Sequence, residues 1–187
     1  MTGFRLGWGI VDHGLVSVTG AAVVVPGAAS LPPAEFGRLS AVLAGSYFLL
    51  TGMRAVVSKV YLARFAGMPD RLPAGTARWA QSTTLRLSLA VAVPPLLVAG
   101  VVPLSVASRQ VLAAVAVALP LLVWQDVRRA ILLAAGRPAR SAASSGLVLA
   151  GQATGGAALV LAGEVSEPAL LLCWAAGAAL AVGCVPV

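Results

Sequence analysis

Five polar residues lie within or beside long apolar stretches of this 187-residue sequence: Asp12, Arg54, Gln125, Asp126 and Arg129. Asp12 stands about two helical turns into the first stretch. It is either a functional carboxylate inside a membrane or a residue near a helix N-terminus that water still reaches. Arg54 either reaches back to the membrane surface or points inward as a ligand for an anion.

Asp126 and Arg129 are three residues apart, so their side chains can pair on one face of a helix. Gln125 directly precedes this pair. The pair either ends a span at the interface or forms part of a gate or of a contact with a lipid head group. The sequence leaves both interpretations open.

The sequence contains none of the patterns that carry enzymatic chemistry. There is no Gly-rich phosphate loop, no pair of catalytic carboxylates and no Cys/His spacing for a metal. His13 follows Asp12 directly, and adjacent helical residues point in different directions. Cys173 and Cys184 both fall in the last apolar stretch, where we interpret them as packing residues. We therefore predict a protein that is not an enzyme and has no metal or cofactor.

The composition is that of a protein whose solvent is lipid. Hydrophobic residues make up 59% of the chain and charged residues only 10%, against about 25% charged residues in soluble domains. The net charge is +7, which in a membrane protein indicates cytoplasmic loops and anionic head groups rather than nucleic acid. The bilayer is thus the first expected partner.

Six apolar stretches have roughly the 20 residues that a spanning helix needs. We predict an all-α polytopic membrane helix bundle, with residues 1–187 forming a single transmembrane domain. The predicted spans cover about 8–31, 39–58, 87–108, 110–128, 141–163 and 168–187.

The distribution of basic residues predicts the orientation of the bundle. Arg5, the interval Arg54–Arg86 and the interval Arg128–Arg140 together hold 11 of the 13 Lys and Arg residues, and six spans place all three segments on the same side. Because cytoplasmic loops carry the excess of Lys and Arg, both termini are predicted to be cytoplasmic.

Prolines and small residues mark the predicted helix interiors. Pro26, Pro94, Pro95, Pro103 and Pro120 lie within or at the edges of spans, and Gly151 and Gly155 form a close-packing motif in the fifth. The pattern is typical either of a tightly packed bundle or of bent, mobile helices around a cavity. Trp174 lies well inside the sixth span and faces either lipid or the interior.

Three segments resemble the bacterial polysaccharide flippases of the multidrug/oligosaccharidyl-lipid/polysaccharide exporter superfamily. Trp124–Arg129, continuing to Ala135–Pro138, is similar to that family's Gln-Asp-x-x-Arg and Gly-Arg-Pro pattern. Trp8–Ser17 is similar to the family's opening Asp-Gln-x-x-x-Ser, and Glu35–Gly37 to its Glu-Phe-Gly. The order and spacing of the three segments agree with the family across residues 8–140.

The resemblance implies a transporter lobe that moves a lipid-linked sugar, or a related amphiphile, across the bacterial cytoplasmic membrane. Such transporters alternate access between two six-helix lobes around a charged cavity. Asp12, Gln125, Asp126 and Arg129 match the family's motifs, and with Arg54 we expect them to act in substrate binding or gating.

This sequence departs from the family in length, because it has six spans where the family has 12 or more, and His13 stands where Gln is usual. We therefore expect a half-length or truncated unit equivalent to the first lobe, pairing as a homodimer or with a second half-transporter chain. The alternative is a non-transporting integral membrane subunit that scaffolds a polysaccharide-assembly complex.

Overall fold

The computed structural model describes residues 2–65 and 75–185, with side chains from Gly7 onward. This part of the chain is helical and contains no β-strand. The helices are α1 (Thr2–Ser30), α2 (Pro33–Met53), a π-helical turn (Arg54–Ser58), α3 (Lys59–Phe65), α4 (Thr76–Val101), α5 (Val106–Ala134), α6 (Pro138–Ala162) and α7 (Glu167–Cys184).

The π-helical turn joins α2 to α3 without a break, so Pro33–Phe65 is one 33-residue helix. Counted in this way, six helices are long and apolar enough to cross a membrane. The prediction of an all-α, multi-pass membrane bundle is confirmed.

The helices extend beyond the apolar stretches that predicted them. α4 begins at Thr76 rather than near residue 87, and α5 continues to Ala134. Charged residues such as Arg78 and Arg86 favour helix as well as most apolar residues do, so a count of apolar residues misses these turns. Lys59–Phe65, which follows the second predicted span, is also helical and continues α2 through the π-helical turn.

α5 is the central helix of the bundle. It has 16 buried residues among its 29, whereas α4 has four among 26. α4 packs chiefly along α5, while α1 packs along α6 and α6 along α7. At the end of the bundle that holds Lys59–Phe65, a separate apolar cluster joins α3, α4 and α5 through Tyr61, Ala80 and Val127.

Glycines allow α6 and α7 to approach closely, as the small-residue pattern predicts. A Cβ atom built on Gly177 would lie 2.5 Å from the Val148 carbonyl oxygen, and one on Gly155 would lie 2.7 Å from the Cys173 sulfur. Cys173 is therefore a packing residue, as expected. Cys184 is exposed, which contradicts its interpretation as a packing residue, because it lies at the end of α7 beyond the α6 contact.

Prolines interrupt the hydrogen bonding of three helices. Pro26, Pro94, Pro95 and Pro120 lie inside α1, α4 and α5, whereas Pro103 lies in the α4–α5 connection. Each proline inside a helix leaves one carbonyl without its usual intrahelical donor.

An ion pair fastens the beginning of α2 to the beginning of α7. Arg38 Nη2 lies 2.7 Å from Glu167 Oε1, and Glu167 is buried at the first turn of α7. By charge distribution this is the end of the bundle predicted to face outside. The pair holds this end of α2, while the opposite end of α2 leads into the π-helical turn.

We expect Gly177→Ala to destabilise the bundle by about 1–3 kcal/mol, because the added methyl group meets backbone that cannot move aside. Gly183→Ala, in the same helix with open space around the added atom, is the matched control. Thermal unfolding of both variants in detergent measures the difference. Equal midpoints for the two variants would contradict the α6–α7 contact.

Candidate functional site

Arg129 lies between two carboxylates in the interior of the bundle. Its Nη2 and Nε atoms both contact Asp12, the second at 3.3 Å, and its Nη1 donates to Asp126 Oδ1 at 3.2 Å. The relative exposures of Asp12, Asp126 and Arg129 are 1%, 8% and 7%. The pairing of Asp126 with Arg129 on one helical face is confirmed, and Asp12 is not the water-accessible helix-end residue of the alternative interpretation.

Asp126 also receives two donors from the π-helical turn. Arg54 Nε lies 2.9 Å from Asp126 Oδ1, and Ser58 Oγ lies 2.9 Å from Oδ2. Arg54 therefore points inward rather than only to the membrane surface. The turn begins at Arg54 and ends at Ser58, so its unusual geometry supplies both donors. Single π turns occur often at functional sites.

α6 completes the arrangement with hydroxyl groups. Ser145 Oγ donates to Asp12 Oδ1 at 2.6 Å, and Ser144 Oγ accepts a long hydrogen bond of 3.4 Å from Gln125 Nε2. Gln125 is therefore next to the charged groups and not directly bonded to them. We call Asp12, Arg54, Asp126 and Arg129, with the hydroxyls of Ser58 and Ser145, the charge network.

The charges of the network cancel, which accounts for their burial. Two guanidinium groups face two carboxylates, and each carboxylate also accepts a hydroxyl hydrogen bond. A buried ion pair is tolerated when its remaining polar atoms are satisfied, and is strongly destabilising when one partner is removed. Arg54, whose side chain is 34% exposed, is the member of the network that reaches the surface.

Two cavities meet at the charge network. The inner cavity, of about 50 Å³, is enclosed by five helices and has polar groups from Thr19, Tyr47, Arg54, Gln125, Arg129 and Ser145. The vestibule, of about 280 Å³, lies between α1, α5 and the π turn with α3, and has polar groups from His13, Arg54, Ser58, Lys59, Asp126 and Arg129. Val16, Arg54 and Arg129 line both cavities.

The inner cavity is suited to water. The Tyr47 hydroxyl is buried and has no hydrogen-bond partner among the described residues, and the volume is sufficient for a few water molecules with polar partners. Trp174, whose orientation the sequence left open, faces this cavity at 4% exposure and packs against Tyr47 with the rings tilted by 48° and their centroids 5.4 Å apart.

Four of the five predicted site residues come together in one network, although they are spread from residue 12 to residue 129. Ser58 and Ser145 were missed. Ser58 follows Arg54 by four residues, a spacing that places both on one helical face. Ser145 lies in the fifth predicted span, and no charge or spacing in the sequence marks it.

Within residues 7–65 and 75–185, no cluster of three or more His, Cys, Asp or Glu side chains could hold a metal ion. Comparisons with models of protein families, with curated proteins and with solved structures gave no match. A functional assignment for this chain therefore depends on the geometry of the charge network and on the sequence motifs.

We expect Arg129→Gln to lower the free energy of unfolding by about 3–5 kcal/mol, because it removes the charge that two buried carboxylates share. Asp12→Asn should lower the free energy of unfolding by less, because Arg129 would still pair with Asp126. Arg109→Gln, an exposed position on the same helix, should stay within about 0.5 kcal/mol of the parent. Unfolding in detergent micelles compares the three variants. An Arg129→Gln variant as stable as Arg109→Gln would contradict this role.

Proposed function

We propose that this chain is a membrane transporter lobe of the polysaccharide-flippase type, which moves a lipid-linked sugar or related amphiphile across the bacterial cytoplasmic membrane without covalent chemistry. One observation carries the proposal: residues that match the family's motifs in the first and fourth spans meet in a buried charge network between two cavities. A protein that only packed its helices would have no evident need for such a costly arrangement.

Arg54 is the residue through which the network would respond to substrate. It is partly exposed in the vestibule, where Lys59 is also exposed, and its only ion pair within the described residues is with Asp126. A phosphate group on a lipid carrier would compete with Asp126 for Arg54 by forming charge-assisted hydrogen bonds. Loss of the Arg54–Asp126 pair would in turn weaken the attachment of the π turn to α5, leaving the Ser58 hydrogen bond and the apolar contacts of Val57.

Release of the π turn would join the two cavities. Arg54 and Ser58 are the groups that tie this part of the second span to Asp126, and Arg54 lines both cavities. In this proposal the charge network is a gate, opened when an anionic substrate replaces Asp126. Arg129 and Asp12 keep the rest of the network neutral while the gate is open.

A single lobe supplies one wall of a two-lobed transport pathway. We therefore propose that the chain acts with a second copy of itself or with a second half-transporter chain. With both termini cytoplasmic, as the Lys and Arg distribution predicts, the vestibule would open on the cytoplasmic side.

The test is transport of a fluorescent lipid-linked sugar in membrane vesicles from cells that express the chain, scored by its accessibility to an added quencher. We expect Asp12→Asn, Arg54→Gln and Arg129→Gln each to reduce transport at least tenfold at normal protein levels. The tenfold loss corresponds to about 1.4 kcal/mol, within the range of one charge-assisted contact. Arg109→Gln is the matched control and should retain transport.

Survival of transport in all three variants would contradict the gate assignment. Absence of transport by the parent chain, together with assembly into a complex of polysaccharide-synthesising proteins, would favour the scaffolding alternative.

A further inference from the structure

The outward face of α4 carries two exposed arginines near the beginning of the helix. Arg78, Ser82 and Arg86 follow one another at four-residue steps, and all three are exposed. Residues four apart lie on one side of a helix. Trp79, which is 59% exposed, stands beside Arg78. We call Arg78, Ser82 and Arg86 the α4 basic stripe.

The length of α4 places Arg86 inside the apolar layer of a bilayer that this helix spans. From Arg86 to the end of α4 at Val101, the helix rises about 22 Å at 1.5 Å per residue. The hydrocarbon core of a bilayer is about 30 Å thick. With Val101 at one edge, the backbone of Arg86 is therefore about 8 Å within the opposite edge. A lipid-facing arginine at that depth extends its side chain toward the interface, where water or an anionic partner meets the charge.

The described residues provide no such partner. Arg38, Arg54 and Arg129 all have carboxylate partners, but neither Arg78 nor Arg86 forms an ion pair with the described part of the chain. The remaining exposed residues of α4 beyond the stripe are aliphatic, among them Leu89 and Leu96. That surface is suited to acyl chains and gives a protein partner no polar contact.

The direction of the arginine side chains on α4 indicates where an anionic partner would lie. Helical side chains lean toward the N-terminus of their helix, so the Arg86 guanidinium extends toward Ser82 and Arg78. The backbones of Arg78 and Arg86 are about 12 Å apart along the helix, so an anionic group beside Ser82 is within reach of both long side chains, and Trp79 lies at the level where indole rings favour the interface.

We propose that the α4 basic stripe binds the phosphate group of an anionic phospholipid of the surrounding leaflet, with the acyl chains along the aliphatic face of α4. The two guanidinium groups supply charge-assisted hydrogen bonds to the phosphodiester, and Ser82, whose hydroxyl donates to the Trp79 carbonyl oxygen, lies between them on the same face. The site is separate from the proposed transport site, since no residue of α4 lines the inner cavity or the vestibule.

The test is a titration of the purified full chain in detergent with phosphatidylglycerol or phosphatidylcholine, followed by native mass spectrometry and thermal unfolding. We expect phosphatidylglycerol to be retained and to raise the unfolding midpoint more than phosphatidylcholine does. Arg86→Gln should weaken its apparent affinity about fivefold, and the double change Arg78→Gln with Arg86→Gln about 25-fold.

Arg140→Gln is the matched control, an exposed arginine outside α4 and near the same end of the bundle by the order of the helices. If Arg140→Gln lost as much affinity for phosphatidylglycerol as Arg86→Gln does, the proposal would be overturned, because diffuse surface charge would then account for binding. An equal midpoint increase with inorganic phosphate alone would also overturn it. The proposal would also be overturned if the parent chain formed a dimer that Arg86→Gln dissociates, and phosphatidylglycerol changed the unfolding midpoint of neither protein.

Arg86→Leu keeps the proposal testable if a glutamine at this depth impairs folding. Leucine is compatible with the apolar layer, so this variant should fold in phosphatidylcholine at least as well as the parent. It should lack most of the stabilisation by phosphatidylglycerol. Full stabilisation of Arg86→Leu by phosphatidylglycerol would overturn the proposal.

Discussion

A charge inside an apolar bundle must meet an opposite charge, and this requirement organises the half of the molecule that contains Arg129. The guanidinium of Arg129 on the central helix can be buried only because α1 supplies Asp12 and its own helix supplies Asp126. Asp126 in turn draws the π turn toward α5 through Arg54 and Ser58. Four spans therefore converge on one point, and two cavities remain where their side chains do not fill the space.

Close packing elsewhere makes this convergence possible. Gly177 and Gly155 bring α7 and α6 into backbone contact, which leaves α6 positioned to direct Ser145 toward Asp12. The close contact between α6 and α7 fixes the position of each helix relative to the other. The second span, by contrast, contributes four buried residues from α2 and three more from the π turn and α3, and ion pairs near the two ends of α2 add to these apolar contacts. In the proposed gate, the second span is the element that moves when the Arg54–Asp126 pair is exchanged.

Much of the architecture could be predicted because apolar length alone identifies a spanning helix, and six such helices are present. Asp12 and Arg129 could be identified as candidates because charge is rare in apolar stretches. Their meeting could not be predicted, since it depends on the rotation of α1 and α5 about their axes. The π turn was also beyond prediction, because no residue type marks it, and the first turns of α4 were missed because a count of apolar residues ignores helical arginines.

The central claim is that the Arg54–Asp126 pair holds the second span against α5 and closes the inner cavity. The most direct measurement is the distance between spin labels at His13→Cys and Lys59→Cys, two exposed vestibule positions on α1 and α3, with both native cysteines replaced by alanine. Pulsed electron paramagnetic resonance should give one main distance between the labels in the parent. After Asp126→Asn, a larger fraction of molecules should show a longer distance. An unchanged distance distribution in a folded Asp126→Asn variant would contradict the account.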